Sequence, residues 1–226
     1  MIWVTGSSGM LGRSLCESLG ALDCDFTATD TDVDITDRNE VERFVRDRDL
    51  RWIINCAAYT AVDRAEDEPA IASRINAKGP ETLAAAAAEH QVRLIHVSTD
   101  YVFSGAEERF KTEEDPTCPV SVYGRTKLDG EERIRRNCAA HFIVRTAWLY
   151  GQYGNNFVYT MLRLMQMRDS IKVVGDQYGS PTYAKNLVAG IMKILEYDSH
   201  IFGTYHFTDQ GKITWFDFAE KIYELG

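Results

Sequence analysis

The 226-residue sequence predicts an α/β fold: a doubly wound parallel sheet followed by a smaller, truncated C-terminal lobe. Three observations predict it. Buried-strand and amphipathic-helix patterns alternate through the first 150 residues, the rhythm of βαβ units. A single glycine-rich turn, Gly6-Ser-Ser-Gly9-Met-Leu-Gly12, joins the first strand to the first helix. After Gly151 the alternation loosens, so one domain is expected over 1–150 and a partial lobe plus late sheet elements over 151–226.

Composition narrows the class. A formal charge of −9 argues against nucleic acid as a partner and offers a membrane no basic face. Cys16, Cys24, Cys56, Cys118 and Cys138 are odd in number, scattered and form no C-x-x-C pair. They read as reduced, mostly packed thiols of a cytoplasmic protein. Met1-Ile-Trp-Val enters a strand at once, so no signal peptide is expected, and no apolar run reaches membrane-spanning length.

Met1 to Thr5 reads as a buried strand, and Leu11, Leu15 and Leu19 place one face of the next helix in the core. A glycine turn between them is the context of a dinucleotide fingerprint of Rossmann type, here spaced G-x-x-G-x-x-G. Its glycines let the backbone approach a pyrophosphate, and the helix start offers unpaired N–H groups. The bland alternative is an ordinary tight turn. A second strand, 26–29, ends at Asp30, at the distance where a carboxylate suits the adenosine ribose and leans towards NADH. Asp30, Asp32 and Asp34 equally form a solvated acidic turn. Asp37 and Glu40 suggest a capping box for a helix that turns Val41, Phe44 and Val45 inward.

The third strand, 52–56, delivers the small residues Ala57 and Ala58, against which a cofactor can lie. A long helix is expected from about 69 to 90, kinked or broken near Gly79-Pro80. The fourth strand, 92–97, delivers Thr99, whose hydroxyl can reach a substrate carbonyl or bond its own turn. Residues 104–119, with Pro116 and Pro119, read as a loop over the cleft. A fifth strand spans 142–144. A helix opens at Asn155-Asn156-Phe157 with Phe157, Met161, Leu164 and Met165 as core. Further strands are expected at 171–174 and 205–208, a helix running to about Leu195, and a last helix starting from Thr214 or Asp217. His96, His141 and His206 lie in or beside strands as packed neutral histidines, and no metal-spaced cluster is seen.

Tyr123-Gly-Arg-Thr-Lys127 sits at the start of the helix after the long loop. Residues four apart share a helix face, so a phenol and an ammonium can serve one pocket. Lowering a phenol from about 10 to about 7 requires about 4 kcal/mol. One positive charge at ~4 Å supplies about that at an effective dielectric of ~20. Alone, the pair is equally a helix-surface contact.

Six stretches taken together carry a family resemblance. They are Asn-x-Ala-Ala-x-Thr-Ala-Val-Asp at 55–63, Ser-Thr-Asp-Tyr-Val-Phe at 98–103, Tyr-Gly-x-Thr-Lys at 123–127, Arg-Thr-x-Trp at 145–148, Asn-Asn-Phe at 155–157 and Asp-Gln-x-Gly-x-Pro-Thr at 176–182. With the glycine turn, they make the chain resemble the dTDP-4-dehydrorhamnose reductases among the extended short-chain dehydrogenase/reductases. The resemblance implies reduction of the C4 keto group of dTDP-4-dehydro-6-deoxy-L-mannose with NADPH or NADH. It implies Tyr123 as proton donor, Lys127 lowering the tyrosine pKa and bonding the nicotinamide ribose, and Thr99 holding the keto oxygen. Asp100, Trp148 and Asn156 would bind the dTDP-sugar. Gly6, Gly9, Met10, Leu11, Asp30, Asp34, Ile35, Ala58, Tyr59 and Thr60 would contact the cofactor, beside Gly12 and Ala57. Family members continue for several dozen residues past the position of Gly226, which implies a truncated substrate lobe here. Some are homodimers with Mg²⁺ held by interface glutamates. Here Ser14 and Lys185 stand where those are sought, so no metal is expected, while a homodimer is left open. Two neighbouring readings differ in residues or roles. Nucleotide-sugar dehydratases carry a glutamate where this chain has Tyr101. The regulatory β subunit of methionine adenosyltransferase resembles the same family without catalysing the reduction. Another 4-keto nucleotide sugar is a further alternative substrate.

Overall fold

Apolar residues stand side by side in the central strands, and the pleat sends neighbours to opposite faces. Trp3, Ile53, Leu94 and Ile143 go to one face, and Val4, Ile54, Ile95 and Val144 to the other. Strands buried on both sides need helices on both. The computed structural model, which describes residues 1–107, 109–197 and 200–226, has this arrangement.

In order, the chain forms β1 (Ile2–Thr5), α1 (Met10–Ala21), β2 (Phe26–Thr29), α2 (Arg38–Arg46), β3 (Trp52–Asn55), α3 (Val62–Asp67) and α4 (Pro69–Ser73). A π-helical turn, Arg74–Lys78, leads into α5 (Gly79–Glu89), then β4 (Arg93–Thr99) and a 3-10 turn, Asp100–Val102. Next come α6 (Val122–Asn137), β5 (His141–Thr146), β6 (Leu149–Tyr150), α7 (Phe157–Met167), β7 (Tyr178–Gly179) and β8 (Thr182–Tyr183). The chain finishes with α8 (Ala184–Glu196), β9 (Gly203–His206), β10 (Ile213–Thr214) and α9 (Trp215–Leu225).

The main sheet is parallel throughout, in the order β2-β1-β3-β4-β5-β9. Val41 and Val45 of α2, Leu83, Ala84 and Ala87 of α5, and Ile134 of α6 cover one face. Leu15 and Leu19 of α1 and Leu187, Val188 and Ile191 of α8 cover the other. Strand order reverses beside β1, and the carboxyl ends of β1 and β3 open there, where such sheets bind ligands. A separate cluster forms between α7 and α9 around Met161, Ala219 and Ile222. No helix among the described residues is long and apolar enough to cross a membrane.

Several elements differ from expectation. The strand expected at 171–174 does not form: β9 occupies the sheet edge beside β5, and residues 171–174 run past α9, where Phe216 N–H donates to the Val174 carbonyl at 3.1 Å. The long helix breaks one turn before Gly79-Pro80, in the π turn. Pro80 lies in the first turn of α5, where a missing N–H removes no helical bond. Asp37 caps α2, accepting from Asn39 N at 2.7 Å and Glu40 N at 3.2 Å, but the box is not reciprocal. The Glu40 carboxylate accepts instead from Asp34 N at 2.9 Å. The reciprocal box occurs at α9, between Thr214 and Asp217. All five cysteines are free; Cys138 is buried, but Cys118 is exposed rather than packed.

Candidate active site

The glycine turn is built so that no side chain fits its inner positions. Gly6 has φ +67°, and a Cβ on it would stand 2.5 Å from the Ala57 nitrogen. A Cβ on Gly12 would stand 2.2 Å from the Gly6 carbonyl oxygen. β1, β3 and α1 therefore close on one another through bare backbone. Gly9 is the N-cap of α1 and no side chain caps that helix, so the N–H groups of its first turn, on Met10, Leu11 and Gly12, are offered to a ligand. This is the donor set a pyrophosphate takes. The Asp30 carboxylate accepts from Ser8 N at 3.1 Å, which ties the end of β2 to the turn. Asp34 has turned to Thr36, accepting from its N at 2.9 Å and its hydroxyl at 2.8 Å, bonds that hold the carboxyl below its ordinary range. Ile35 is buried and Thr60 exposed, while Ala57, Ala58 and Tyr59 are half-buried along the cleft floor.

β4 carries Thr99 to its carboxyl end, and Ser121 caps α6 so that Tyr123 falls in the first turn. There the Thr99 hydroxyl acts on the Tyr123 phenol, favouring its ionised form. Thr99 also donates to the Asp100 carboxylate at 3.1 Å and accepts from Tyr101 N at 3.2 Å, so its turn bonding and its place in the site coexist. The Tyr101 ring meets Tyr123 edge-on at 5.5 Å. Burial pushes the Asp100 carboxyl up to about 6. Burial pushes the Tyr123 phenol up to about 12; the Thr99 hydroxyl works against it, and the Asp100 and Tyr101 charges add to it.

The Lys127 amine is engaged with the sheet and is not among the groups that displace the Tyr123 pKa. Lys127 is fully buried, its Nζ donates to the Val97 carbonyl at 2.7 Å, and it lies 3.1 Å from His96 Nε2. Removed from water, the nitrogen takes the nearest acceptor, a sheet carbonyl. Burial brings it down to about 8.

Trp148 and Asn156 belong to a neighbouring layer. Trp148, at φ +45°, stacks on Trp215 with ring centres 3.5 Å apart. Asn156 uses both ends of its amide internally: Oδ1 accepts from Tyr159 N at 3.2 Å, and Nδ2 donates to the Gly151 carbonyl at 2.8 Å. A Cβ on Gly151 would stand 3.5 Å from the Met10 side chain, so this loop borders the start of α1.

Sequence reasoning missed two groups. Asn76, in the π turn, accepts from Tyr59 N at 2.8 Å, donates to its carbonyl at 3.0 Å and reaches the Thr126 hydroxyl at 3.2 Å. A polar residue inside a helical run was the available signal, since π turns gather at functional sites. Glu131, fully buried, accepts from Ser98 at 2.6 Å and from Arg145 Nε and Nη2 at 2.9 and 2.7 Å. His96, expected as a packed neutral histidine, is buried and held well below its ordinary range. Elsewhere, Glu42, Glu89 and His90 bring their ligand atoms within 4.8 Å of one another. They are already paired, Glu42 with His90 at 2.6 Å and Glu89 with Arg38 at 3.8 Å.

Comparison with known proteins gives the chain's family and its fold relatives. The family described as RmlD substrate binding domain matches residues 1–225. The dTDP-4-dehydrorhamnose reductase of Aggregatibacter actinomycetemcomitans is 40% identical over 98% of this chain and 77% of its own length. A dTDP-4-keto-6-deoxy-D-glucose reductase from Streptomyces niveus is 41% identical, again over 98% and 77%. The crystal structure of a dTDP-4-dehydrorhamnose reductase from Bacillus anthracis in complex with NADP is similar at a TM-score of 0.95. It is 41% identical and is matched over 99% of this chain and 80% of that one.

Proposed function

Since the chain belongs to the RmlD substrate binding domain family, that of the dTDP-4-dehydrorhamnose reductases, we propose that it reduces the C4 keto group of dTDP-4-dehydro-L-rhamnose to dTDP-L-rhamnose. The observation that carries the reading is the convergence of Tyr123, Thr99 and Asp100 at the carboxyl edge of the sheet. A reduced nicotinamide dinucleotide, NADPH or NADH, supplies the hydride. The glycine turn and the uncapped start of α1 fit its pyrophosphate, and Asp30 lies where its adenosine ribose would be held. Thr99, once its hydroxyl turns from the Asp100 carboxylate, donates to the keto oxygen and stabilises the charge that develops there. Tyr123 gives its proton to the same oxygen. A phenol pushed up to about 12 keeps that proton at neutral pH and so acts as an acid. Asp100 orients the sugar through Thr99, and Lys127 serves the nicotinamide ribose once it leaves the sheet. Trp148 lines the nucleotide-sugar side, and the segment after residue 150 contributes the aromatic layer beneath it. Asn156 acts by shaping the Gly151 loop, its amide being committed there.

The relative from Streptomyces niveus, named for a different keto sugar, favours testing a second substrate. Protein is mixed with NADPH and either dTDP-4-dehydro-L-rhamnose or dTDP-4-keto-6-deoxy-D-glucose, and cofactor oxidation is followed. Oxidation that requires the rhamnose precursor and disappears in Tyr123→Phe supports the proposal. Preference for the second sugar moves the assignment to another 4-ketoreductase, and cofactor binding without turnover of either sinks it.

A further inference from the structure

Behind Lys127 runs a chain of buried polar groups whose direction is set at one end by the backbone. The Ala57 N–H can only donate, and it donates to Asn55 Oδ1 at 3.0 Å. Thr5 donates to the same oxygen at 2.8 Å. The amide nitrogen of Asn55 therefore faces His96 Nδ1, at 3.0 Å. An amide nitrogen also only donates, so Nδ1 accepts and is bare. A neutral imidazole then carries its proton on Nε2, and this N–H faces the Lys127 nitrogen at 3.1 Å. An ammonium has three donors and no lone pair, so two donors would oppose each other. An amine accepts from Nε2–H and still donates to the Val97 carbonyl at 2.7 Å. Every member is satisfied only when Lys127 is uncharged.

We propose that His96 is a positioning residue for Lys127: it holds the side chain against the sheet as an amine, which takes a proton from solvent when it leaves that seat for the cofactor ribose. The last step rests on the reductase reading; the seat itself does not.

The other groups facing the pair leave this balance intact. His96 is itself held well below its ordinary range by burial, and a charge on Lys127 or on His141 of β5 would press it lower still. The Cys56 thiol, after β3, is pushed up to about 12 by burial and stays neutral. Glu131, one turn along α6, draws Lys127 towards the charged form, but its carboxylate is already bonded to Arg145, Arg135 and Ser98. Burial outweighs these influences and lets Lys127 titrate at about 8.

The test uses nitrogen-15 NMR of the ligand-free protein. His96 should show a bare Nδ1 and a protonated Nε2, and Lys127 should titrate at about 8, the amine being the major form above that pH. In His96→Asn, which keeps an acceptor for Asn55 and deletes the N–H facing the lysine, that titration should move up by about one pH unit, a tenfold change. NADPH binding should draw protons from solvent when measured by calorimetry in two buffers just above the pH where Lys127 titrates, and less so in the variant. A merely structural histidine would change stability without moving the titration. The inference is overturned by a proton on Nδ1 in the wild type, by an unmoved Lys127 in a folded variant, or by NADPH binding with no proton uptake. Failure to bind NADPH strikes the reductase reading instead, while the His96 tautomer still decides the seat.

Discussion

At the scale of single residues, burial and hydrogen bonding rather than sequence spacing set the chemistry of the site. Tyr123 keeps its proton because desolvation outweighs the influence of the Thr99 hydroxyl. Tyr123→Phe should therefore lower kcat by about 10²–10⁴ while NADPH affinity, read by fluorescence titration, changes little. Asp100 offers a second test with a definite sign. Its folded pKa is raised from 3.8 to about 6, so the folded state holds the proton more tightly, and stability falls as pH rises through that window. Asp100→Asn should stabilise the fold at neutral pH by about 1 kcal/mol or more in urea unfolding. The gain should vanish below pH 3.8. The same variant should turn over more slowly, because the carboxylate orients Thr99.

At the scale of elements, the site depends on how closely α6 sits against the π turn. A Cβ on Gly130 would stand 2.1 Å from the Asn76 carbonyl oxygen, a backbone atom that cannot swing aside. Helix propensity alone predicts that Gly130→Ala stabilises by about 0.5–1 kcal/mol. Overpacking costs about 1–3 kcal/mol and should win. Chemical denaturation should show net destabilisation, and kcat/KM should fall because α6 carries Tyr123 and Lys127. The helix pattern was readable in the sequence, as were Tyr123 and Lys127 on one face. The π turn was not: its extra residue places Asn76 between Tyr59 and Thr126, partners 17 and 50 residues away, and no local pattern encodes such a bridge.

Across the whole molecule, one buried charge cluster ties three elements together. Glu131 on α6 meets Ser98 on β4 and Arg145 on β5, with Arg135 completing the set. Burial pushes the Glu131 carboxyl up, but the Arg145 bonds and charge, Ser98 and Arg135 more than offset it, and the net displacement is below 4.5. A lowered folded pKa gives stability that is complete above 4.5 and lost as pH falls through the folded value. Glu131→Gln should cost about 3–5 kcal/mol at neutral pH, because it leaves Arg145 buried without its countercharge. The Tm of the variant should also lose part of its fall in acid, as thermal unfolding across pH would show.

The sequence by itself determined the layered parallel sheet, the glycine turn at its switch point, and the helix that presents residues 123 and 127. Each is written in a repeat of two or 3.6 residues, or in a turn that only glycine fits. Tertiary structure alone decided that Lys127 rests on Val97 and His96, that Asn156 spends its amide on Gly151 and Tyr159, and that residues 171–174 leave the sheet edge to β9. Those outcomes are competitions among partners distant in the chain. A buried polar group takes whichever donor or acceptor the closed fold brings nearest, and that distance exists only after the elements have packed.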